Sequence, residues 1–182
     1  MNATLQDSDN HSTAAQFIIR PAGEKDLPDL LAMIRALAAF ENLEDQLEVT
    51  AASLREALFG KHPVAAALLA VEQGISVGYA VYFFTYSTFV GKPGIFLEDV
   101  YVRPDWRHRG LGTALMEAVA RIGAARGCGR YEWIALRWNE NALRFYHNLG
   151  AQEMQEWMML RVNEHGLHSL ARHGKEKRAV AG

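Results

Sequence analysis

The segment from Phe96 to Arg126 places a strand pattern, a turn with glycines and a helix pattern in direct succession. Its first part, Phe96–Val102, is apolar apart from the adjacent acids Glu98 and Asp99 and is predicted to be a strand. From Gly112 to Arg126 the apolar residues recur at the spacing of an amphipathic helix. A strand that enters a helix through so short a turn favours a sheet with helices packed on it.

The rest of the chain adds further strand and helix patterns. Helices are predicted at Leu27–Ala38, where Asp26 is the expected cap, at Ser53–Phe59 and at Asn141–Leu149. The other predicted strands are Phe17–Arg20, Ala65–Glu72, Ser76–Thr85, Tyr131–Trp138 and Trp157–Val162. This order, βααβββαβαβ, predicts a mixed α/β sheet with helices packed on it.

Length and composition favour one soluble globular domain. The 182 residues are 49% hydrophobic and 22% charged, and we expect a flexible tail at 1–16, a domain at 17–162 and a polar tail at 163–182, partly helical or disordered. A net charge of −2 gives no general attraction for nucleic acid or a membrane, so neither is an expected partner. The single cysteine and the polar start, which does not read as a secretory signal, predict a cytoplasmic protein.

Arginine and glycine residues fill the turn before the central helix, in the sequence Arg107-His108-Arg109-Gly110-Leu111-Gly112-Thr113. Glycines let the backbone approach a ligand, and free amides at a helix start favour an anion. The turn therefore suits a diphosphate, although solvated arginines on a simple turn explain the pattern equally well. Neither a Walker sequence nor Gly-x-Gly-x-x-Gly is present, which disfavours a nucleoside triphosphate or NAD.

Two segments around this turn resemble a known family. "LEDVYVRPDWRHRGLGTALM" followed by "LRWNENALRFYHNLGAQE" is similar to the GNAT acetyltransferases, whose signature is Gln/Arg-x-x-Gly-x-Gly/Ala after a strand, with Asn and Tyr further on. The stretches "FENLEDQ", "YFFTYSTFVGK" and "EWIALRWNENALRFY" resemble the diamine (spermidine/spermine) acetyltransferase branch. The resemblance covers Phe17 to Val162 and implies the α/β GNAT fold, a mixed, mostly antiparallel sheet flanked by helices.

The resemblance implies acetyl-CoA as co-substrate and assigns residues to it. Val100, Tyr101 and Val102 would pair with the pantetheine arm, because a strand edge suits an amide-bearing chain. Asn139 would lie along the coenzyme and Tyr146 near its sulfur. The diphosphate would be held by the residues that follow Arg107, itself the first position of the motif: His108, Arg109, Gly110, Leu111, Gly112 and Thr113.

The implied acceptor is a small polyamine-like or diamine-like primary amine. An alkylamine has a pKa of about 10.4, so it must lose a proton before it attacks a thioester directly in a ternary complex. By position in the family, Glu98 is predicted to bind the amine and accept its proton. Asp99, also assigned to the amine, would point to the opposite face of a regular strand; its actual face, and an ion-paired structural role, are left open.

Phe40 and Glu41 complete the predicted amine site. They belong to "FENLEDQ", which matches the acidic loop that the family places over its polyamine. Without the family, the same cluster, which includes Glu44 and Asp45, would be interpreted as a solvated loop.

Tyr146 is predicted to be the general acid that protonates the departing thiolate, with an ordinary core aromatic as the other interpretation. Cys128 is expected to be a structural thiol, because direct transfer needs no covalent intermediate. The histidines lack metal-ligand spacing, so no metal is expected.

The sequence departs from the polyamine branch in "TYSTFVGK", where Ser87 and Phe89 replace an acid and a tryptophan. The missing negative charge weakens the case for a long polycation, so a shorter diamine, a thialysine-like amino acid or another primary amine competes as substrate. Acetylation of a protein amine and non-catalytic sensing of acyl-CoA are further alternatives. Relatives in this branch are dimers, so a homodimer is expected.

Overall fold

The structure is a computed structural model that describes residues 17–179, and the side chains of residues 17–172. Its contacts separate one compact unit that runs to Asn139 from a second that starts at Glu140. The predicted tail at 1–16 lies outside the described residues. The extent of the domain, 17–162, stays a prediction.

The first unit is built on a five-stranded sheet with the strands in sequence order. Neighbours among the first four strands are antiparallel, and the fourth pairs with the fifth in parallel. The mixed, mostly antiparallel sheet of the expected fold class is confirmed. The strands are Phe17–Pro21 (β1), Ala66–Glu72 (β2), Ile75–Ser87 (β3), Lys92–Val102 (β4) and Tyr131–Trp133 (β5).

Helices cover both faces of this sheet. They are Leu27–Glu41 (α1), Ala51–Phe59 (α2) and Leu111–Ala125 (α3). The side chains of Tyr79 and Val81 on β3 belong to one core with the apolar residues of α1 and α2. Gly78 faces the other way, since a Cβ built on it would lie 3.4 Å from Leu115 of α3. Successive strand residues point to opposite faces, so α1 and α3 lie on opposite sides of the sheet.

Two strands differ from their predicted bounds by more than two residues. β4 begins at Lys92 rather than at Phe96, and β5 ends at Trp133 rather than at Trp138. The reason for the early end is pairing: β5 bonds β4 only opposite Ile95–Leu97. The rest of the predicted strand has the β pattern but no ladder partner, and a strand needs one for its backbone groups.

The second unit contains the helices Glu140–Asn148 (α4) and Glu164–Ala179 (α5). The prediction of a last strand at Trp157–Val162 is wrong, because residues 151–163 hold neither strand nor helix. The apolar pattern of this stretch is real, but it is not used for burial: Trp157 is 74% exposed and Leu160 is 85% exposed. Within residues 17–179, no helix is both long enough and apolar enough to cross a membrane.

The helix α1 begins without the side-chain cap predicted for Asp26. The Asp26 carboxylate instead accepts two hydrogen bonds from the guanidinium of Arg20, at 2.6 and 2.8 Å, and one from the backbone N–H of Gly23 at 2.8 Å. The bonds from Arg20 lower the pKa of Asp26 to about 2. The hydrogen bonds of this carboxylate therefore connect β1 to the turn that precedes α1.

Candidate active site

A β-bulge interrupts β4 at the two adjacent acids. Leu97 is paired with Tyr82 and Asp99 with Val81, so Glu98 is an extra residue without its own partner on β3. The alternation of faces is broken here, because Tyr82 and Val81 are successive residues and point to opposite sides. Glu98 and Asp99 would face opposite sides in a regular strand, but the bulge removes that requirement here.

Asp99 lies on the α1 side of the sheet. Its partner Val81 belongs to the core beneath α1, as does Tyr79, whose hydroxyl donates a hydrogen bond to Asp99 Oδ2 at 3.3 Å. Burial, with the negative charges of Glu98 and Glu41, raises the pKa of Asp99 to about 6, and the hydrogen bond from Tyr79 opposes that rise. The sequence did not determine which face Asp99 occupies; the structure places its partly buried carboxylate on the α1 side.

Glu41, the last residue of α1, extends this group of acids. Its side chain is half-buried, and burial raises its pKa. Its charge acts on Asp99 and on Tyr79. We call Glu41, Glu98 and Asp99 the acidic cluster; none of its members has an ion-pair partner among the described side chains. Three acids without a counter-charge suit a cationic ligand.

The end of β4 has a backbone edge that no strand pairs, although Arg107 Nε already donates to one of its carbonyls, that of Val102. The backbone N–H of Arg103 bonds to the carbonyl of Val77 on β3 at 2.9 Å. Because neighbouring residues direct their backbone groups to alternate edges, Val102 and Val100 direct theirs away from β3, where β5 no longer pairs. An extended chain with amide groups can bond there, as predicted for the pantetheine arm. Tyr101, also predicted to pair with it, directs its backbone to β3 instead.

The turn before α3 has the backbone geometry of an anion site. His108 and Gly110 are left-handed, with φ of +61° and +81°, and both are exposed. The first bond inside α3 runs from the N–H of Ala114 to the carbonyl of Gly110 at 2.9 Å. The N–H groups that precede it have no acceptor within the helix and point out of its start. They belong to Leu111, Gly112 and Thr113, three of the residues predicted to hold a diphosphate.

The two arginines of the motif are engaged by the protein itself. Arg107 donates from Nε to the carbonyl of Val102 at 3.0 Å, and its guanidinium carbon lies 5.0 Å from the centre of the Phe40 ring. Arg109 forms an ion pair with Glu72 on β2 at 2.5 Å, and lies 4.7 Å from the centre of the Trp106 ring. Both side chains are held by these contacts, so the groups that the turn leaves available for the predicted diphosphate are chiefly backbone amides.

Phe40 meets a residue that the sequence did not single out. Its ring centre lies 6.0 Å from that of Trp138, and the two side chains are 41% and 54% exposed. Trp138 belongs to the quoted "LRWNENALRFY", but a lone tryptophan in a predicted strand carries no signal of its partner. The same holds for Glu72 and Tyr79, which stand in β patterns. Tyr79 gains its contact from strand register, and Glu72 gains its contact with Arg109 from the position of the turn before α3.

Two predicted residues lie beyond the sheet. Asn139 is half-buried, and its backbone N–H bonds to the carbonyl of Leu136 at 3.0 Å. Tyr146 is half-buried on α4 in the second unit, with its ring centre 5.3 Å from that of Phe145. Their roles at the coenzyme stay predictions. In the part of the chain that is described, no group of three or more His, Cys, Asp or Glu could hold a metal ion.

Comparison with known proteins agrees with this geometry. Residues 31–151 match the family model described as "Acetyltransferase (GNAT) family". The chain is 35% identical to thialysine N-epsilon-acetyltransferase of Sus scrofa, over 92% of this chain and 99% of that protein. It is 32% identical to spermidine/spermine N(1)-acetyltransferase-like protein 1 of Homo sapiens, over 85% of this chain and 24% of that protein.

Among solved structures, an integron cassette protein from the mobile metagenome of V. cholerae superposes with a TM-score of 0.72 at 25% identity, covering 85% of this chain and 97% of that one. The acetyl group that such enzymes transfer comes from acetyl-CoA, which fits the open edge of β4 and the amides before α3. The chain belongs to the GNAT acetyltransferase family.

Proposed function

We propose that this acetyltransferase acts on the side-chain amine of a lysine-like amino acid, with thialysine as the representative substrate. The observation that carries the proposal is the acidic cluster of Glu41, Glu98 and Asp99, which has no counter-charge among the described side chains. Asp99 and Glu98 lie directly before the open edge of β4. An ammonium group held by the acids is thereby brought to the strand on which the pantetheine arm is expected.

A short substrate is favoured over a long polycation. Ser87, at the position where the polyamine branch carries an acid, is buried and accepts a hydrogen bond from the backbone N–H of Val90 at 3.2 Å. It supplies no negative charge for a second ammonium group. The similarity to thialysine acetyltransferase supports the same choice, while the similarity to a spermidine/spermine acetyltransferase-like protein keeps polyamines as the second candidate.

The chemistry divides among the chain's own groups. Bound acetyl-CoA supplies an acetyl thioester, whose carbonyl carbon an uncharged amine can attack. The acidic cluster binds the ammonium form, and Glu98 or Asp99 accepts the proton that frees the nitrogen electron pair. As the new N–C bond forms and the C–S bond breaks, Tyr146 is predicted to give its phenolic proton to the sulfur.

Release of free CoA in the presence of a panel of amines tests the proposal. The panel contains thialysine, lysine, ornithine, a short diamine, spermidine and spermine, each followed at several concentrations. We expect the highest kcat/KM for the lysine-like amino acids. A preference for spermine would move the assignment to polyamines, and acetyl-CoA binding without turnover of any amine would favour an acyl-CoA sensor.

A further inference from the structure

Tyr79 is a buried tyrosine whose polar end meets the acidic cluster. Its side chain on β3 is fully buried, within the core beneath α1. A phenol at such a position needs a hydrogen-bond acceptor, since an unbonded hydroxyl in the core destabilises the fold. The acceptor here is Asp99 Oδ2 on the neighbouring strand, at 3.3 Å.

The bulge at Glu98 makes this contact possible. If β4 continued in register from the pair of Leu97 with Tyr82, Asp99 would stand opposite Ala80, on the α3 side. The extra residue places Asp99 opposite Val81 instead, on the face that carries Tyr79. Bulges commonly re-aim a side chain in this way beside functional sites.

The surroundings of Asp99 leave half of its carboxylate for a ligand. Its Oδ2 accepts the hydrogen bond from the Tyr79 hydroxyl. Its Oδ1 has no hydrogen-bond partner among the described residues, and it is not one of their buried unsatisfied atoms. The ionisable groups that act on the carboxyl are Glu98 on its own strand, Tyr79 on β3 and Glu41 on α1, and none of them is a cation. A carboxylate with one oxygen fixed by a neutral donor and the other free has the form of an ammonium acceptor.

We propose that Tyr79 is a positioning residue for amine acetylation: its hydroxyl holds Oδ2 of Asp99, so that Oδ1 faces the amine and takes part in its binding and deprotonation. This role rests on the proposed function, because it requires an amine substrate. The bond from Tyr79 also favours the ionised form of Asp99, in opposition to burial and to the neighbouring acids. Without that bond, Asp99 would be protonated over a wider pH range and would bind an ammonium group less well.

The replacement Tyr79→Phe tests the role, since it keeps the ring and removes only the hydroxyl. Carbon NMR of the Asp99 carboxyl, in protein without amine or acetyl-CoA, should show its pKa rising above the value of about 6 of the parent protein. The acid limb of kcat/KM for the best amine should move upward by about half to one pH unit, with roughly a threefold to tenfold loss on the acid side and a smaller loss on the alkaline side. A merely structural tyrosine would lower activity equally at every pH.

Two further variants accompany this measurement: a matched control, and a second change at position 79 that should shift the pKa of Asp99 in the opposite direction. Tyr82→Phe removes the hydroxyl of another buried β3 tyrosine, on the α3 side, and should leave both the Asp99 titration and the pH profile in place. A ring-fluorinated tyrosine at position 79 is a stronger donor, so it should lower the pKa of Asp99 and keeps the test available if Tyr79→Phe does not fold. Asp99→Asn should abolish the effect of Tyr79→Phe on kcat/KM if the tyrosine acts through this carboxyl.

The possible outcomes distinguish a failure of the positioning role of Tyr79 from a failure of the proposed function. An enzyme that turns over an amine while neither Tyr79 variant moves the Asp99 titration or the acid limb would overturn the positioning role and leave the proposed function intact. A shifted titration in a protein that releases no CoA with any amine would overturn both. Shifts of opposite sign for the two variants, in step with kcat/KM, support the role of Tyr79.

Discussion

Leu97 and Asp99 are separated by one residue on β4, yet they lie on opposite faces of the sheet, because Glu98 is bulged between them. Leu97 therefore keeps its apolar place on the α3 side, while Asp99 reaches the α1 side beside Tyr79 and near Glu41. The bulge thus lets β4 contribute Leu97 to the core and Asp99 to the acidic cluster. Five variants examine what this arrangement and its surroundings do.

Replacement of Glu98 by Gln separates its electrostatic effect from its predicted role as proton acceptor. Loss of one negative neighbour should lower the pKa of Asp99 below about 6, so the acid limb of kcat/KM moves to lower pH. If Glu98 carries the proton, kcat should also fall by about a hundredfold or more at neutral pH and recover where free amine is abundant. Glu117→Gln, on the exposed side of α3, is the control. A loss of equal size at every pH would contradict the proton path.

Asp99→Asn should stabilise the protein at neutral pH while it lowers activity. The pKa of Asp99 rises from 3.8 to about 6 on folding, so the folded state holds the proton more tightly and the free energy of unfolding decreases as pH rises through this window. The asparagine variant lacks this decrease, and should be more stable above the window by up to roughly 3 kcal/mol. Urea unfolding of both proteins below and above the window measures the difference; parallel curves would contradict the raised pKa.

Asp26→Asn should have the opposite dependence on pH. The pKa of Asp26 falls from 3.8 to about 2 on folding, so its stabilisation is complete above the unfolded value and is lost as pH falls toward the folded one. At neutral pH we expect a loss of about 1–2 kcal/mol in the free energy of unfolding, reduced from the full shift because Arg20 is partly exposed. Acid titration of thermal stability should show the two proteins converging at low pH. A constant difference between them would point to packing rather than to the carboxylate.

Gly110→Ala should weaken the binding of CoA. Gly110 has φ of +81° directly before α3, where an alanine is strained and would turn the neighbouring amides away from a diphosphate. Gly91→Ala is a matched control, because Gly91 is also left-handed, with φ of +66°, in a loop between β3 and β4. Isothermal titration should give about a tenfold or larger increase in Kd for Gly110→Ala alone. Equal affinities in the two variants would argue that the loop amides do not hold the diphosphate.

Tyr146→Phe tests the predicted general acid on α4. If the phenol protonates the leaving sulfur, kcat should fall by about a hundredfold or more, while the Kd for acetyl-CoA changes little. The exposed Tyr86 of β3 supplies the control variant, Tyr86→Phe, which should leave both quantities unchanged. Turnover at the parent rate in Tyr146→Phe would assign the residue to packing.

Local patterns predicted most of the sheet and its helices. The apolar runs of β2 and β3, the periodicity of α1 and α3 and the glycines around the turn are each set by nearby residues, and the structure keeps them. Trp157–Val162 shows the limit of this approach. Its apolar character predicts a strand equally well whether or not a partner is present, and pairing depends on residues distant in sequence.

The residues of the site could be predicted in kind but not in arrangement. The motif identifies Glu98, Asp99 and the turn from His108 to Thr113, because the same short segment carries them. The bulge depends on the register between β3 and β4, which no pattern within β4 reveals. Tyr79 and Glu72 follow from that register and from the fold, so their contacts with Asp99 and Arg109 could not be predicted from either side of the pair alone.

The acidic cluster also bears on how the product leaves. Under the proposed function the side-chain amine of the acceptor arrives as an ammonium group and leaves as part of an uncharged amide, so the reaction removes the charge by which the acids held it. A bound cation offsets the repulsion that Glu41 and Glu98 exert on the Asp99 carboxylate, and the neutral product does not. The site thereby distinguishes unreacted from reacted amine by charge alone, and accumulated product should compete only weakly with fresh substrate.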